Sequence, residues 1–229
     1  MGTLPPRPSV ACFVPIRTNS KRVPGKNTKD LCGKSITRRL TETLRMLKPK
    51  YVDDIYVYCS DNGITNHLPP GVTWLQRSAK LDADDVRGEL IYTAFARDVP
   101  ADIYVLCHAT SPFLSAASIA KCIDAVTWLD YQSACTVKRV QTYAWWLDSP
   151  VNFVRPGPRC RTQDVQPIFV ETSGCYVFTA KLLHTYCSRT GEPNKLVEVS
   201  AIEAIDIDDP EDFEVAESFA SSLDAQAAQ

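Results

Sequence analysis

No apolar run of about 18 residues or more, the length a membrane-spanning helix needs, occurs in this 229-residue chain. The chain also lacks a charge surplus. Lys plus Arg total 25, Asp plus Glu total 27, and the net charge is -2. Duplex-binding proteins carry a basic excess, so no nucleic-acid partner is expected. Histidines are scarce and scattered (His67, His108 and His184), and no His/Cys group has the spacing of a zinc site. The cysteines number nine, an odd count, and contain no C-x-x-C pair. Cys12, Cys59, Cys107, Cys135 and Cys175 sit inside apolar runs, where cysteine acts as a small hydrophobe. Reduced thiols in a cytoplasmic protein are therefore expected. The opening stretch, Met1 to Val10, is rich in proline and has no apolar signal core.

A P-loop is missing too. Gly33-Lys34-Ser35 looks like the end of one, but the position five residues before Gly33 is Thr28 rather than glycine. A kinase or ATPase of that type is disfavoured.

With 45% hydrophobic and 23% charged residues, the composition is that of an ordinary globular protein. No repeat or linker interrupts residues 1–229, and one domain is expected. Short apolar runs read as strands at Ser9–Pro15, Asp54–Ser60, Gly71–Gln76, Ile103–Cys107, Ser133–Lys138 and Gly174–Phe178. Between them, helical spacing marks Ile36–Leu47, Asp84–Arg97, Ala116–Leu129, Lys181–Tyr186 and Pro210–Leu223. Val197–Ser200 and Ala204–Ile207 read as short extended segments. This alternation predicts an α/β fold, a doubly wound and mostly parallel Rossmann-like sheet. Residues 142–161 hold two tryptophans and three prolines without periodicity, and read as an arm.

Two stretches carry chemistry. The first is Arg17 to Asn27, which directly follows the first strand and contains Arg17, Lys21, Arg22 and Lys26 among Ser, Gly and Asn. Ligands of open α/β sheets bind beyond the carboxyl ends of the strands. A loop there with N–H groups and cations can surround a polyphosphate. A solvated basic loop is the competing reading.

The second is Ala204-Ile205-Asp206-Ile207-Asp208-Asp209-Pro210. In extended chain, residues i and i+2 share a side, with Cβ atoms roughly 6–7 Å apart. Asp206 and Asp208 can then face a cleft together while Ile205 and Ile207 face the core. Such a pair suits one hard cation shared with water and phosphate, as magnesium is commonly bound. Asp209-Pro210-Glu211-Asp212 is a separate signal, a helix start with Asp209 as N-cap. Thr110-Ser111-Pro112 reads as a tight turn after a buried strand.

Together these pieces resemble the CMP-sialic acid synthetase family of cytidylyltransferases. The resemblance rests on Arg17, Ser20, Lys21, Pro24, Lys26 and Asn27, followed by Leu31-Cys32-Gly33-Lys34 and Ser60-Asp61. It continues with Thr110-Ser111-Pro112, Arg161-x-Gln163-Asp164, Ser173-Gly174-Cys175-Tyr176 and Asp206-Ile207-Asp208. It spans about residues 10 to 220.

The resemblance implies a nucleotide-diphospho-sugar transferase type of sheet. It also implies transfer of CMP from CTP to an acidic acceptor, with magnesium as cofactor and pyrophosphate as product. Arg17, Lys21 and Lys26 would act on the triphosphate. The nucleotide would be held by these residues with Asn19, Ser20, Asn27, Arg77, Thr110 and Ser111. The acceptor would meet His108, Gln163, Asp164 and Ser173, and the metal Asp206 and Asp208. The family is typically a homodimer, each subunit reaching its partner through an arm, a role residues 142–161 would fill.

The sequence departs from the family pattern on the acceptor side. His108 and Ala109 replace the usual glutamine and proline, Leu114 the usual arginine, and Ser173 the common asparagine. A sugar acid is the first expectation for the acceptor, and a small phosphonate is the alternative. A sugar-1-phosphate nucleotidyltransferase using UTP or dTTP and a catalytically silent nucleotide-binding protein are the remaining readings.

Overall fold

The computed structural model describes residues 7–18 and 20–227, with side chains through residue 223. Asn19, one of the nucleotide-site candidates, lies outside the described residues. The strands are β1 (Val10–Ile16), β2 (Asp30–Leu31), β3 (Lys34–Ser35), β4 (Asp54–Cys59), β5 (Thr73–Gln76), β6 (Ile103–Cys107), β7 (Ser133–Val140), β8 (Trp145–Trp146), β9 (Ser149–Pro150), β10 (Ile168–Thr179) and β11 (Asn194–Glu198). The α-helices are α1 (Ile36–Arg45), α2 (Gly88–Asp98), α3 (Ala116–Trp128), α4 (Ala180–Tyr186) and α5 (Pro210–Ala227). None of them is long and apolar enough to cross a membrane among the described residues.

Seven strands form one sheet in the order β11-β7-β10-β6-β1-β4-β5. β10 alone runs antiparallel to its neighbours β6 and β7, while the other pairs are parallel. After β1 the chain lays down β4 and β5 on one side, then returns to place β6 on the other. The switch point of the sheet is therefore the gap between β1 and β6, where ligands of such sheets bind.

Strand alternation sorts the core into two layers. Cys12, Val14 and Ile16 of β1 join Ile36, Leu40 and Leu44 of α1, Ile119 and Ile123 of α3, and Phe213 of α5. Ala11 and Phe13 point the other way, toward Tyr92 and Phe95 of α2 and Leu182 and Leu183 of α4. Helices thus cover both faces. Each fully buried Leu or Ile contributes about 1.5–3 kcal/mol.

Gly33, with φ +80°, turns the β2–β3 ribbon. Ser35 Oγ caps α1 by accepting from Arg38 N at 3.2 Å. The glycine and serine that imitate a P-loop therefore have ordinary structural work. Five cysteines expected in the core are buried, and all nine are unbridged.

Some boundaries differ from the sequence reading. α2 begins at Gly88 rather than Asp84, because Asp84 is drawn to Arg17 and Lys21. β10 is twelve residues long and includes a bulge between Glu171 and Tyr176, with Ser173 at φ +57°. Ala204–Ile207 adds no strand to the sheet. The excursion between β7 and β10 holds the short β8–β9 ribbon. It also holds an aromatic group, Tyr143, Trp145 and Phe153, with the Arg159 guanidinium against all three rings.

Candidate active site

β1 ends at the switch point and releases the basic loop. The loop folds back on itself: Lys26 N donates to Val23 O, and Thr28 N and Lys29 N to Gly25 O. Gly25 takes φ +65°, a conformation glycine adopts without Cβ strain. Asn27 pins both ends of the turn. Its Nδ2 donates to Arg17 O at 2.9 Å, and its carbonyl accepts from Thr37 Oγ1 at 2.6 Å.

The result is a cavity of about 400 Å³ lined by Arg17, Ser20, Lys21, Arg22, Lys26 and Asn27 on one wall. His108, Ala109 and Thr110, which follow β6, line the other. A cavity of about 520 Å³ on the β7–β10 excursion is lined by Phe153, Arg159 and Asp164 among others. It contains none of the basic-loop residues. The charge pattern a triphosphate needs is in the first cavity.

The distant aspartates arrive at the same place. Ile207 N donates to Thr110 O at 2.8 Å, which hangs the Asp206–Asp208 segment on the turn after β6. Lys26 reaches across from the basic loop. Its Nζ donates to Ile207 O at 2.6 Å and lies 3.3 Å from Asp208 Oδ1, and the residue is only 8% exposed. Arg22 Nη2 is 3.0 Å from the same carboxylate oxygen. Ile207 is fully buried and Ile205 packs on the core, so the alternating pattern holds without a strand. Asp209 Oδ1 caps α5 by accepting from Asp212 N, while Asp212 Oδ2 accepts from the backbone N–H groups of Asp208 and Asp209. That reciprocal cap fixes where Asp208 stands. Upstream, Glu203 ties the segment to the start of α3. Burial raises its pKa, but hydrogen bonds from Ser115, Ser118 and Ser200 outweigh that and hold it down to about 2.

Asp206 has a different environment. Its Oδ1 is shut off from solvent and meets no hydrogen-bond donor of the protein. A buried carboxylate oxygen without a donor is costly unless a cation completes it. Asp206 and Asp208 therefore fit a hard divalent cation that takes its other ligands from phosphate and water. Among the described residues no group of three or more His, Cys, Asp and Glu could hold a metal ion by itself.

Other candidates are placed as follows. Arg77 is 2% exposed and pairs with Asp82, while its Nη2 donates to Ile16 O at 2.9 Å. It braces the end of β1. Asp82 also accepts from Ser60. Arg17 and Lys21 both pair with Asp84, Arg17 at 2.9 Å. Ser111 is fully buried beside Gly174, where an added Cβ would sit 3.2 Å from Ser111 Oγ. Gln163 and Asp164 sit in a short turn on the excursion, with Asp164 paired to Arg161, and neither lines the cavity beyond β1.

His108 Nδ1 lies 2.5 Å from Ser173 O. A carbonyl only accepts, so Nδ1 carries the proton and Nε2 keeps its lone pair. Burial lowers the His108 pKa, against the Ser173 carbonyl and the charges of Asp206 and Asp208, which raise it. The imidazole is neutral at neutral pH.

Asp82 and Asp84 were missed by sequence reasoning. Their signal was charge complementarity: the acidic run Asp82 to Asp85 answers a basic loop more than 60 positions away.

The family model described as Cytidylyltransferase matches residues 11–219. The chain belongs to the cytidylyltransferase family. Among curated relatives, this cytidylyltransferase is similar to CMP-N,N'-diacetyllegionaminic acid synthase of Legionella pneumophila subsp. pneumophila. The two are 29% identical over 225 residues, covering 91% of this chain and 94% of the relative. Among solved structures it shares its fold with CMP:2-keto-3-deoxy-manno-octonic acid synthetase complexed with CTP. There the TM-score is 0.69 at 16% identity, over 94% of this chain and 99% of that one. It also resembles 4-diphosphocytidyl-2C-methyl-D-erythritol synthase from Anaerococcus prevotii, with a TM-score of 0.63 at 12% identity, over 93% and 98% of the two chains. Cytidylyltransferases are enzymes, and the mostly parallel sheet with its helices is that of this fold.

Proposed function

We propose that this cytidylyltransferase joins the CMP part of CTP to a nonulosonic or related sugar acid and releases pyrophosphate. The observation that carries the reading is Lys26, buried between the basic loop and the carbonyl and carboxylate of Ile207 and Asp208. The legionaminic acid synthase supports the acceptor class, being similar over nearly its whole length.

In this mechanism an acceptor hydroxyl attacks the α-phosphorus of CTP in line. Protein side chains position the groups and stabilise charge, with no covalent intermediate on the chain. Arg17, Lys21 and Lys26 hold the triphosphate and stabilise the departing pyrophosphate. The phosphates take over Arg17 and Lys21 from Asp84, whose pairs with them are exposed and individually weak. Asp206 and Asp208 would hold magnesium, which neutralises phosphate charge when bound. Asn27 shapes the base-binding end, with Arg77 bracing it from behind and Ser20 and Thr110 along the wall, while the buried Ser111 supports the turn after β6. His108, neutral with a free Nε2, can accept the proton of the attacking hydroxyl.

The acceptor test is direct. Incubation with CTP, magnesium and a panel of acids, including N,N'-diacetyllegionaminate and 2-aminoethylphosphonate, is expected to give a CMP–sugar acid by mass spectrometry. A product from the phosphonate alone, or from UTP or dTTP with a sugar 1-phosphate, would replace this reading.

A homodimer and a cytoplasmic setting belong to the same proposal. Trp146, Leu147 and Val154 of the excursion are 74%, 85% and 80% exposed, an apolar patch that suits burial against a second copy. Such an arm would carry Gln163 and Asp164 toward the partner subunit's acceptor site. Sedimentation at twice the mass of 25.5 kDa is expected, and a monomer at micromolar concentration would remove the arm's role. Nine unbridged thiols suit a reducing compartment.

A further inference from the structure

Among the described residues, Arg189 is a cation near the cleft with no carboxylate in an ion pair with it. It follows α4, where Cys187 takes φ +50° and turns the chain back toward the sheet. Ser188 Oγ donates to Thr190 O at 2.7 Å and accepts from Thr190 N at 3.1 Å, which knits the loop with Arg189 at its apex. The guanidinium carbon lies 3.8 Å over the Tyr176 ring, and Nη1 donates to the Tyr92 hydroxyl at 2.7 Å. Both partners are phenols that burial keeps protonated, so neither answers the charge. Glu171 is engaged by the Tyr176 hydroxyl at 2.6 Å and forms no ion pair with Arg189.

The contrast with other arginines of the site is informative. Arg77 has Asp82, Arg17 has Asp84 and Arg22 has Asp208. Among the described residues Arg189 has no carboxylate partner. Nη1 is the one guanidinium nitrogen with a hydrogen bond to the described residues, and the others stay open to solvent, where an anion can reach them.

Its place in the fold says which anion. Tyr104 and Leu106 of β6 and Tyr176 of β10 point to the α2–α4 face, and His108 continues that alternation two residues past Leu106. The His108 and Tyr176 ring centroids are 6.3 Å apart. Adding the 3.8 Å from Tyr176 to Arg189 puts the guanidinium within about 10 Å of the His108 ring. His108 lines the nucleotide cavity opposite the basic loop. Arg189 thus stands one aromatic ring beyond the His108 wall of that cavity.

Resting on the proposed reaction, we propose that Arg189 receives the acid group of the acceptor, with the Tyr176 ring as the flat support that orients the guanidinium. A planar guanidinium offers a carboxylate two parallel donors, so it selects acids over neutral sugars. Tyr92 fixes one nitrogen and leaves the remaining fork for the ligand.

Steady-state kinetics of Arg189→Gln with CTP, magnesium and N,N'-diacetyllegionaminate test this. The KM for the acid is expected to rise about 10–100-fold, the scale of one charge-assisted hydrogen-bonded pair. The KM for CTP should stay within about twofold, and Arg189→Lys should recover part of the loss. The methyl ester of the acid should bind wild type and Arg189→Gln alike. An unchanged KM for the acid overturns the assignment, and so does a parallel rise in both KM values, which marks a structural role. If wild type turns over no acid at all, the reaction itself is wrong and the assignment falls with it. If wild type is active and Arg189→Gln matches it, only the assignment falls.

Discussion

Asparagine at position 208 is expected to lower kcat by about 10²–10³-fold while the fold survives. That is the scale on which removal of one preorganised electrostatic contact acts. The Asp208 carboxylate is half exposed and shared by Arg22 and Lys26, and asparagine keeps a side-chain oxygen there while the Lys26 ammonium retains Ile207 O at 2.6 Å. Its backbone N–H stays with Asp212, and the cap of α5 on Asp209 is untouched. The loss therefore falls on the reaction: one carboxylate fewer for the cation, and two basic side chains no longer held over the cavity. Pyrophosphate release measured at saturating CTP, beside a thermal melt, separates the two effects. Turnover near wild type at limiting magnesium would remove Asp208 from the site.

Lys26→Met should be comparably severe, with a different signature. The ammonium is nearly buried and joins the two halves of the site, with Ile207 O at 2.6 Å and Asp208 Oδ1 at 3.3 Å. Methionine fills the space of the aliphatic stem and deletes the charge. Ile207 O then loses its donor, a structural cost of about 1–3 kcal/mol. The catalytic cost is larger, because the triphosphate loses its deepest cation. The expected result is a fall of about 10²–10³-fold in kcat/KM for CTP, with KM for CTP raised. Lys26→Arg keeps the charge but not the reach of a single ammonium, and should recover only part of the activity. If Lys26→Met melts like wild type and keeps wild-type kcat/KM, Lys26 is structural only.

Much of this site was legible because its parts are local patterns. Arg17 to Asn27 directly follows an apolar strand, and Asp206-Ile207-Asp208 alternates before a strong helix start. Both signals come from neighbouring residues. Their convergence is a property of topology: β1 and β6 flank the switch point, and Thr110 O takes Ile207 N. Sequence order alone did not contain that bond.

The misses have physical causes too. Asp84 looks like a helix start in sequence, yet two cations across the cleft claim it. The helix then begins at Gly88 without a side-chain cap. β10 was read too short because Glu171, Thr172 and Ser173 interrupt its apolar run. The bulge turns that polar stretch to use: Thr172 bonds Thr136, and Ser173 O meets His108. Arg189 gave no signal, since it lies in a short polar turn and its meaning depends on Tyr92 and Tyr176 from distant elements.

The central claim is that Asp206 and Asp208 join the basic loop around one metal–triphosphate. Calorimetric titration of CTP, with and without magnesium, on wild type and Asp206→Asn tests it most directly. Magnesium should tighten CTP binding by at least about 10-fold in wild type, and by much less in the variant. Equal tightening in both proteins would mean that the metal binds elsewhere, and would contradict the account.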